Sequence, residues 1–182
     1  MTTGASSVSP SFPPGARPQE PGRGSAYEVR VAVGDDDRAA CFAVRHEVFV
    51  GEQGVPAAIE SDADDAVAVH VLATGADGPL GTGRLLHGRA AAARNGGDEG
   101  VGVLGRLAVT RAARGLGVGA ALVRAIEEEG RRLGLTAVDL HAQVPAIAFY
   151  ERLGYAAYGA EFREGGIAHR SMRKPLQRGA RP

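Results

Sequence analysis

Apolar and polar positions along the chain change period several times, and each change marks an element. From Tyr27 to Val33 they alternate, with Val29, Val31 and Val33 on one face, which predicts a first strand. Asp35-Asp36-Asp37 then supplies an N-cap and an acidic first turn for a helix running to about Val50. Cys41, Val44, Val48 and Phe49 recur at helical spacing and form its expected buried stripe. A polar loop with Gly51, Gly54 and Pro56 follows, ending in the acidic cluster Glu60, Asp62, Asp64 and Asp65. Ala66 to Thr74 and Leu80 to His87 read as two strands joined by a turn through Ala76-Asp77-Gly78-Pro79. Ala90 to Gly100, rich in Ala and Gly, reads as a surface loop.

In the second half, Val101 to Thr110 is a strand interrupted by Gly102 and Gly105. Leu116 to Leu133 carries the strongest helical pattern, with Val118, Leu122, Ile126 and Leu133 on one face and Gly134 as its stop. Thr136 to Ala142 is a strand, and Pro145 to Leu153 a short helix with proline at its start. Tyr155 to Tyr158 and Gly166 to Lys174 read as two closing strands. Runs of strands broken by helices at three places predict a mixed α/β sheet. Met1 to about Ser25 is built from Ser, Thr, Gly and Pro, with Phe12 its only aromatic, and is expected to be a disordered leader. From about Arg178 a frayed tail is expected. Residues 26–177 are left as one domain, and 182 residues suit one core better than two.

Composition narrows the function only by exclusion. Lys plus Arg equals Asp plus Glu, so no global field points to nucleic acid or to an anionic membrane. No apolar run approaches the ~20 residues that span a bilayer. The N-terminus lacks the basic-then-apolar order of a signal peptide, so a cytoplasmic location is expected. The single cysteine, Cys41, sits among Ala39, Ala40, Phe42 and Ala43 and reads as a buried structural thiol. No His/Cys cluster suggests zinc, and the acidic cluster lacks the glycine and terminal glutamate of a calcium loop.

The sharpest chemical feature is Arg111-Ala112-Ala113-Arg114-Gly115-Leu116-Gly117-Val118-Gly119, between a strand and the long helix. Alternate glycines let the backbone approach a ligand, and a helix start directs free N–H groups and a positive dipole end toward an anion. With Arg111 and Arg114 beside it, this segment is a candidate phosphate cradle. It is not the phosphate loop of nucleotide triphosphatases, because Gly119-Ala120-Ala121 stands where Gly-Lys-Ser/Thr is required. The dinucleotide fingerprint also fails, with Ala120 at its third glycine and no ribose-binding acid ending the next strand.

With these residues in view, the chain resembles the GNAT N-acetyltransferase superfamily. Arg114-Gly115-Leu116-Gly117-Val118-Gly119 matches the family's Arg/Gln-x-x-Gly-x-Gly/Ala signature. Gly105-Arg106-Leu107-Ala108-Val109-Thr110 looks like its central strand, and Ala146 to Tyr155 like its Tyr-x-x-x-Gly-aromatic segment. The chain looks most like the ElaA-type branch, through Arg45-x-x-Val48-Phe49-Val50-x-Glu52-Gln53-x-x-Pro56, Glu60-x-Asp62-x-x-Asp65, Ala142-Gln143 and Gly166-Ile167-x-His169-x-x-Met172. The front pattern is also similar, more loosely, to acyl-homoserine-lactone synthases.

The resemblance implies a mostly antiparallel mixed sheet, splayed at the cofactor site and flanked by helices. It implies acetyl-CoA as acyl donor, with no metal, and an amine of a small molecule or peptide as acceptor, and it leaves room for a homodimer. Backbone groups of Arg114, Gly115, Leu116, Gly117, Val118, Gly119 and Ala120 would hold the pyrophosphate. Leu107, Ala108 and Val109 would line the pantetheine arm, and Gln143 stands where many members have an Asn that orients CoA. Tyr150 would donate a proton to the departing thiolate. For the base, the central strand offers no glutamate. Glu52 is the favoured candidate, with His70, His141 and a water chain as competitors. A CoA-binding sensor without catalysis is the rival from another class.

Overall fold

The computed structural model describes residues 27–177. The expected leader and tail lie outside the described residues. Seven strands form one sheet in the order β1-β2-β3-β4-β5-β7-β6. They are β1 (Tyr27–Val31), β2 (Val69–Gly75), β3 (Gly78–Leu86), β4 (Val101–Val109), β5 (Ala137–Gln143), β6 (Ala156–Glu164) and β7 (Ile167–Pro175). All neighbours run antiparallel except β4 and β5. Antiparallel neighbours can be joined by tight turns, whereas the parallel pair needs a crossover. The helix α4 (Val118–Arg132) lies on that crossover.

The other helices are α1 (Gly34–Arg45), α2 (Ala57–Glu60), α3 (Gly88–Asn95) and α5 (Ile147–Arg152). Past α1 the chain continues in wider π-type turns over His46–Glu52. Three expectations need correction. Ala90 to Gly100 is not simply a loop: its alanines, good helix formers, build most of α3, which Gly96 closes in the left-handed conformation at φ +86°. The strand expected over Tyr155 to Tyr158 extends to Glu164, past an irregularity between Tyr158 and Phe162 where Gly159 takes φ +68°. Finally, α4 starts at Val118 rather than Leu116, and Leu116 and Leu133 are exposed. Its buried face is Val118, Leu122, Val123 and Ile126, with Gly130 against Leu176.

Alternation along β4 divides the core. Leu107 and Val109 pack into the larger cluster with Val118, Leu122 and Ile126 of α4, while Ala108 packs with Val44 and Val48 across the other face. The first-helix stripe is therefore buried as expected. Under α4 the sheet has almost no side-chain height. A Cβ at Gly81 would stand 2.9 Å from Leu122 Cδ1, and one at Gly83 would stand 2.8 Å from Ile126 Cδ1. Glycine at both positions lets the helix settle onto β3. Gly83→Val is expected to cost about 1–3 kcal/mol through overpacking, read as a lower urea midpoint with an unchanged slope.

Candidate active site

The pairing of β4 with β5 stops early. Val101 to Leu104 face Ala137 to Leu140, and the register ends there. On its other side β4 carries a bulge: the register with β3 jumps from Thr82–Ala108 to Arg84–Gly105, so Arg106 and Leu107 oppose the single Gly83. A bulge of this kind bends and twists its strand. At it, Arg106 takes φ +53°, the only positive φ of a non-glycine residue among the described residues. Beyond Leu104 and Leu140 a cleft of about 700 Å³ lies between the strands. Gly105 to Val109 line one wall, and His141, Gln143 and Tyr150 the other. From Gly105 onward, the β4 backbone has no strand partner on its β5 side.

The glycine-rich segment stands against this cleft. Gly115 and Gly117 take φ +81° and +83°, conformations that exact a steric cost from any residue with a Cβ. Gly117 is the N-cap of α4, which has neither a side-chain cap nor an acidic residue in its first turn. The first intrahelical bond runs from the Ala121 amide to Gly117 O at 3.1 Å. The amides of Val118, Gly119 and Ala120 consequently have no acceptor within the helix and sit at its positive end. The Val118 side chain is buried, so only its backbone can serve a ligand. At Gly119 a Cβ would lie 3.4 Å from Phe149 Cζ and 3.7 Å from Val109 Cγ2, both on cleft-lining residues.

The cleft collects most of the expected site residues. Leu107, Ala108, Val109, Arg114, Gln143, Tyr150 and Glu52 all line it, while Gly115 to Ala120 adjoin it without lining it. Arg114 folds back to donate to Val109 O at 3.1 Å and to Glu52 Oε2 at 2.7 Å. Arg111 approaches the same carboxylate at 3.8 Å. Glu52, the favoured base candidate, thus lines the cleft with its carboxylate held by Arg114. Gln143 donates to Gln53 Oε1 at 3.0 Å, tying β5 to the segment after α1.

Tyr150 is 7% exposed, with its ring edge-on to Phe149 and Tyr155. Burial pushes its hydroxyl pKa well above the usual tyrosine value, so the phenol is protonated at neutral pH. His70 lies buried away from the cleft lining, with Nε2 3.0 Å from Asp65 O. His141, another of the base candidates, is not buried. It lines the cleft, is 40% exposed, and holds Glu164 Oε2 at 3.1 Å through Nδ1.

The acidic cluster is also not the solvated loop expected of it. Glu60 and Asp65 are buried, and four arginines converge on the segment. Arg45, with no exposed surface, donates to Glu60 Oε1 at 2.5 Å and to Asp65 Oδ1 at 2.7 Å. Arg84 bridges Asp62 and Asp65 at 2.6 and 2.8 Å. Arg94 binds Asp64 and Asp62, and Arg106 donates to Glu60 O at 2.8 Å. Four guanidinium groups thus balance four carboxylates, and the cluster offers little net negative field to draw in a cation. Arg84, Arg94, Arg106, Glu164 and His169 line the cleft too. The roles of the three arginines and Glu164 could not be read from local spacing, because their partners lie 19 or more residues away.

A sheet forked between two parallel strands, with an uncapped helix start beside the fork, is the frame of the site. The chain belongs to the GNAT acetyltransferase family: the acetyltransferase (GNAT) domain matches it over residues 36–176. It is 32% identical to the uncharacterized N-acetyltransferase YjcF of Bacillus subtilis (strain 168) over 145 residues, 79% of this chain and 96% of that one. Among solved structures it is similar to an acyl-CoA N-acyltransferase from Pseudomonas aeruginosa. There the identity is 33% and the TM-score 0.68, over 81% of this chain and 97% of that one. Escherichia coli ElaA superposes with a TM-score of 0.69 at 26% identity, over 81% and 99% of the two chains.

The ion cluster yields a stability prediction. Burial raises the Asp65 carboxyl pKa, but hydrogen bonds from Arg45 and Arg84 and the Asp62 amide outweigh it and hold the group far below the usual carboxylate range. A depressed folded pKa gives stability that is complete above the unfolded value, ~3.9, and is lost as pH falls below it. Asp65→Asn is expected to lower the unfolding free energy at pH 7 by about 3–5 kcal/mol, read as a lower urea midpoint, since it strands buried arginines. The gap from the parent protein should begin to narrow only as pH falls below about 4 and keep narrowing at lower pH.

Proposed function

We propose that the protein transfers an acetyl group from acetyl-CoA to a primary amine of a small molecule or peptide, by direct attack within a ternary complex. One observation carries this reading: the uncapped start of α4, the unpaired edge of β4 and the Tyr150 hydroxyl all border one cleft. The amides from Arg114 to Ala120 suit a diphosphate, and the glycines leave their approach clear. The free edge of β4 at Leu107 to Val109 suits an extended amide-bearing chain lying alongside as a further strand, with Gln143 facing it from β5. The acceptor then enters from the end of the cleft walled by Glu60, Asp62 and Arg106.

Aminolysis of a thioester needs a neutral amine, a polarised carbonyl and a stabilised leaving group. Holding both substrates in a narrow cleft supplies much of the rate through orientation. A protonated Tyr150 is placed to donate to sulfur as the C–S bond breaks, which lowers the energy of the departing thiolate. Direct attack fits the position of the single cysteine. Cys41 is fully buried, its Sγ lies 3.8 Å from Val71 O, burial raises its thiol pKa, and it does not line the cleft. We place the chain in the ElaA-type branch, supported by the closing segment from Gly166 to Met172 and by the likeness to ElaA itself.

Calorimetric titration with CoA, followed by thiol release from acetyl-CoA with spermidine, kanamycin, L-lysine and a free-amine peptide, tests the proposal. Binding together with amine-dependent release is expected. Binding without release from any amine would favour a sensor, and no binding would end the account. Tyr150→Phe should lower kcat about 100-fold and leave CoA affinity within twofold; equal changes in both would remove Tyr150 from the chemistry.

A further inference from the structure

The fork places a histidine on the wall of the cleft that Tyr150 also lines. His141 is the first residue of β5 beyond the last pair with β4, Leu104–Leu140, and its ring borders the same cleft as Tyr150. The pair it makes is built rather than incidental. Glu164 is the last ladder residue of β6, opposite Ile167, and the two-residue turn Gly165-Gly166 takes φ +57° and +81°, as a tight hairpin requires. That turn fixes Glu164 Oε2 at 3.1 Å from His141 Nδ1. Phe162 holds the imidazole edge-on at 4.9 Å between ring centres and stacks on His169 behind it.

The chemistry follows from which nitrogen is engaged. The His141 bond holds the Glu164 carboxyl below its ordinary range, so the group is ionised at neutral pH and can only accept. His141 therefore donates from Nδ1, and Nε2, which has no hydrogen-bond partner among the described residues, carries the lone pair. The charged and titratable groups around the pair are Glu164 from β6, His169 from β7, Arg106 from β4 and Tyr150 from α5. His169 donates from Nδ1 to Ile167 O at 2.8 Å and is 9% exposed, which leaves His141 the more accessible of the two.

We infer that His141 is the general base of the transfer and that Glu164 is its positioning residue, an assignment that rests on the acetyl-transfer reading above. One proton passes from the acceptor ammonium to His141 Nε2 and on to solvent. The neutral amine then forms the C–N bond as the C–S bond breaks. A second proton leaves nitrogen at that step and, through solvent, replaces the one that Tyr150 gives to sulfur. The sum is one amide, one CoA thiol and one released proton.

The test uses the full chain, acetyl-CoA and whichever amine of the panel is turned over fastest. The parent kcat should fall on an acid limb, because the base must be neutral. His141→Gln should lower kcat about 100-fold or more, abolish that acid limb and leave CoA affinity unchanged by calorimetry. Glu164→Gln removes the obligate acceptor at Nδ1 and should let the His141 proton move onto Nε2 in nitrogen-15 NMR. Nitrogen-15 NMR of the parent should show the His141 proton on Nδ1 and none on Nε2, whatever the acceptor. A His141→Gln enzyme with the parent's rate and acid limb, or a His141 ring protonated on Nε2 at pH 8, overturns the assignment alone. Failure of the parent to bind CoA overturns the acetyl-transfer reading and this assignment with it.

Discussion

The structure depends on how far β4 and β5 stay paired. They share four residue pairs and then separate, with the bulge at Arg106–Leu107 bending β4 beyond the last of them. A parallel pair demands a crossover, so the helix that makes it must begin just past the end of β4. The free backbone edge and the positive end of α4 are thereby brought to the same place by one topological necessity. Ligands of open sheets gather at the carboxyl ends of parallel strands for this reason. Here the short pairing enlarges that position into a cleft.

The opposite end of the cleft is set by charge. Arg45, Arg84, Arg94 and Arg106 reach from α1, β3, α3 and β4 to the segment that carries Glu60, Asp62, Asp64 and Asp65. A buried guanidinium is costly where its donors are unmet; Arg45 has its own met by Glu60 and Asp65, and the terminal nitrogens of Arg84 meet Asp62 and Asp65. The network costs desolvation and returns geometry: it holds a short irregular segment against the sheet as one wall of the cleft. Because the charges cancel, that wall exerts little general attraction for cations.

Much of this was legible in the residues themselves. The alternation of Val29 and Val31, the stripe Cys41–Val44–Val48 and the run of α4 are local patterns, and local patterns survive folding. The glycines from 115 to 119 were readable for the same reason, since their conformational demand belongs to the chain at that point. What could not be read depended on partners distant in sequence. The bulge at Arg106 exists only against β3, and the contact of Glu52 with Arg114 spans 62 residues. Glu164 gave no sign of its contact with His141, which needs the β5–β7–β6 register. That Gly81 and Gly83 form the floor on which α4 rests likewise shows only once the helix packs on β3.

The central claim is that the fork and the start of α4 act as a single receptor for an acyl-CoA. Hydrogen–deuterium exchange with and without acetyl-CoA tests it most directly. Slower exchange on binding is expected together at the amides of Gly105 to Val109 and of Gly115 to Ala120, with the β1–β2 edge unchanged. Slowing at only one of the two segments, or at neither while the compound is bound, would contradict it.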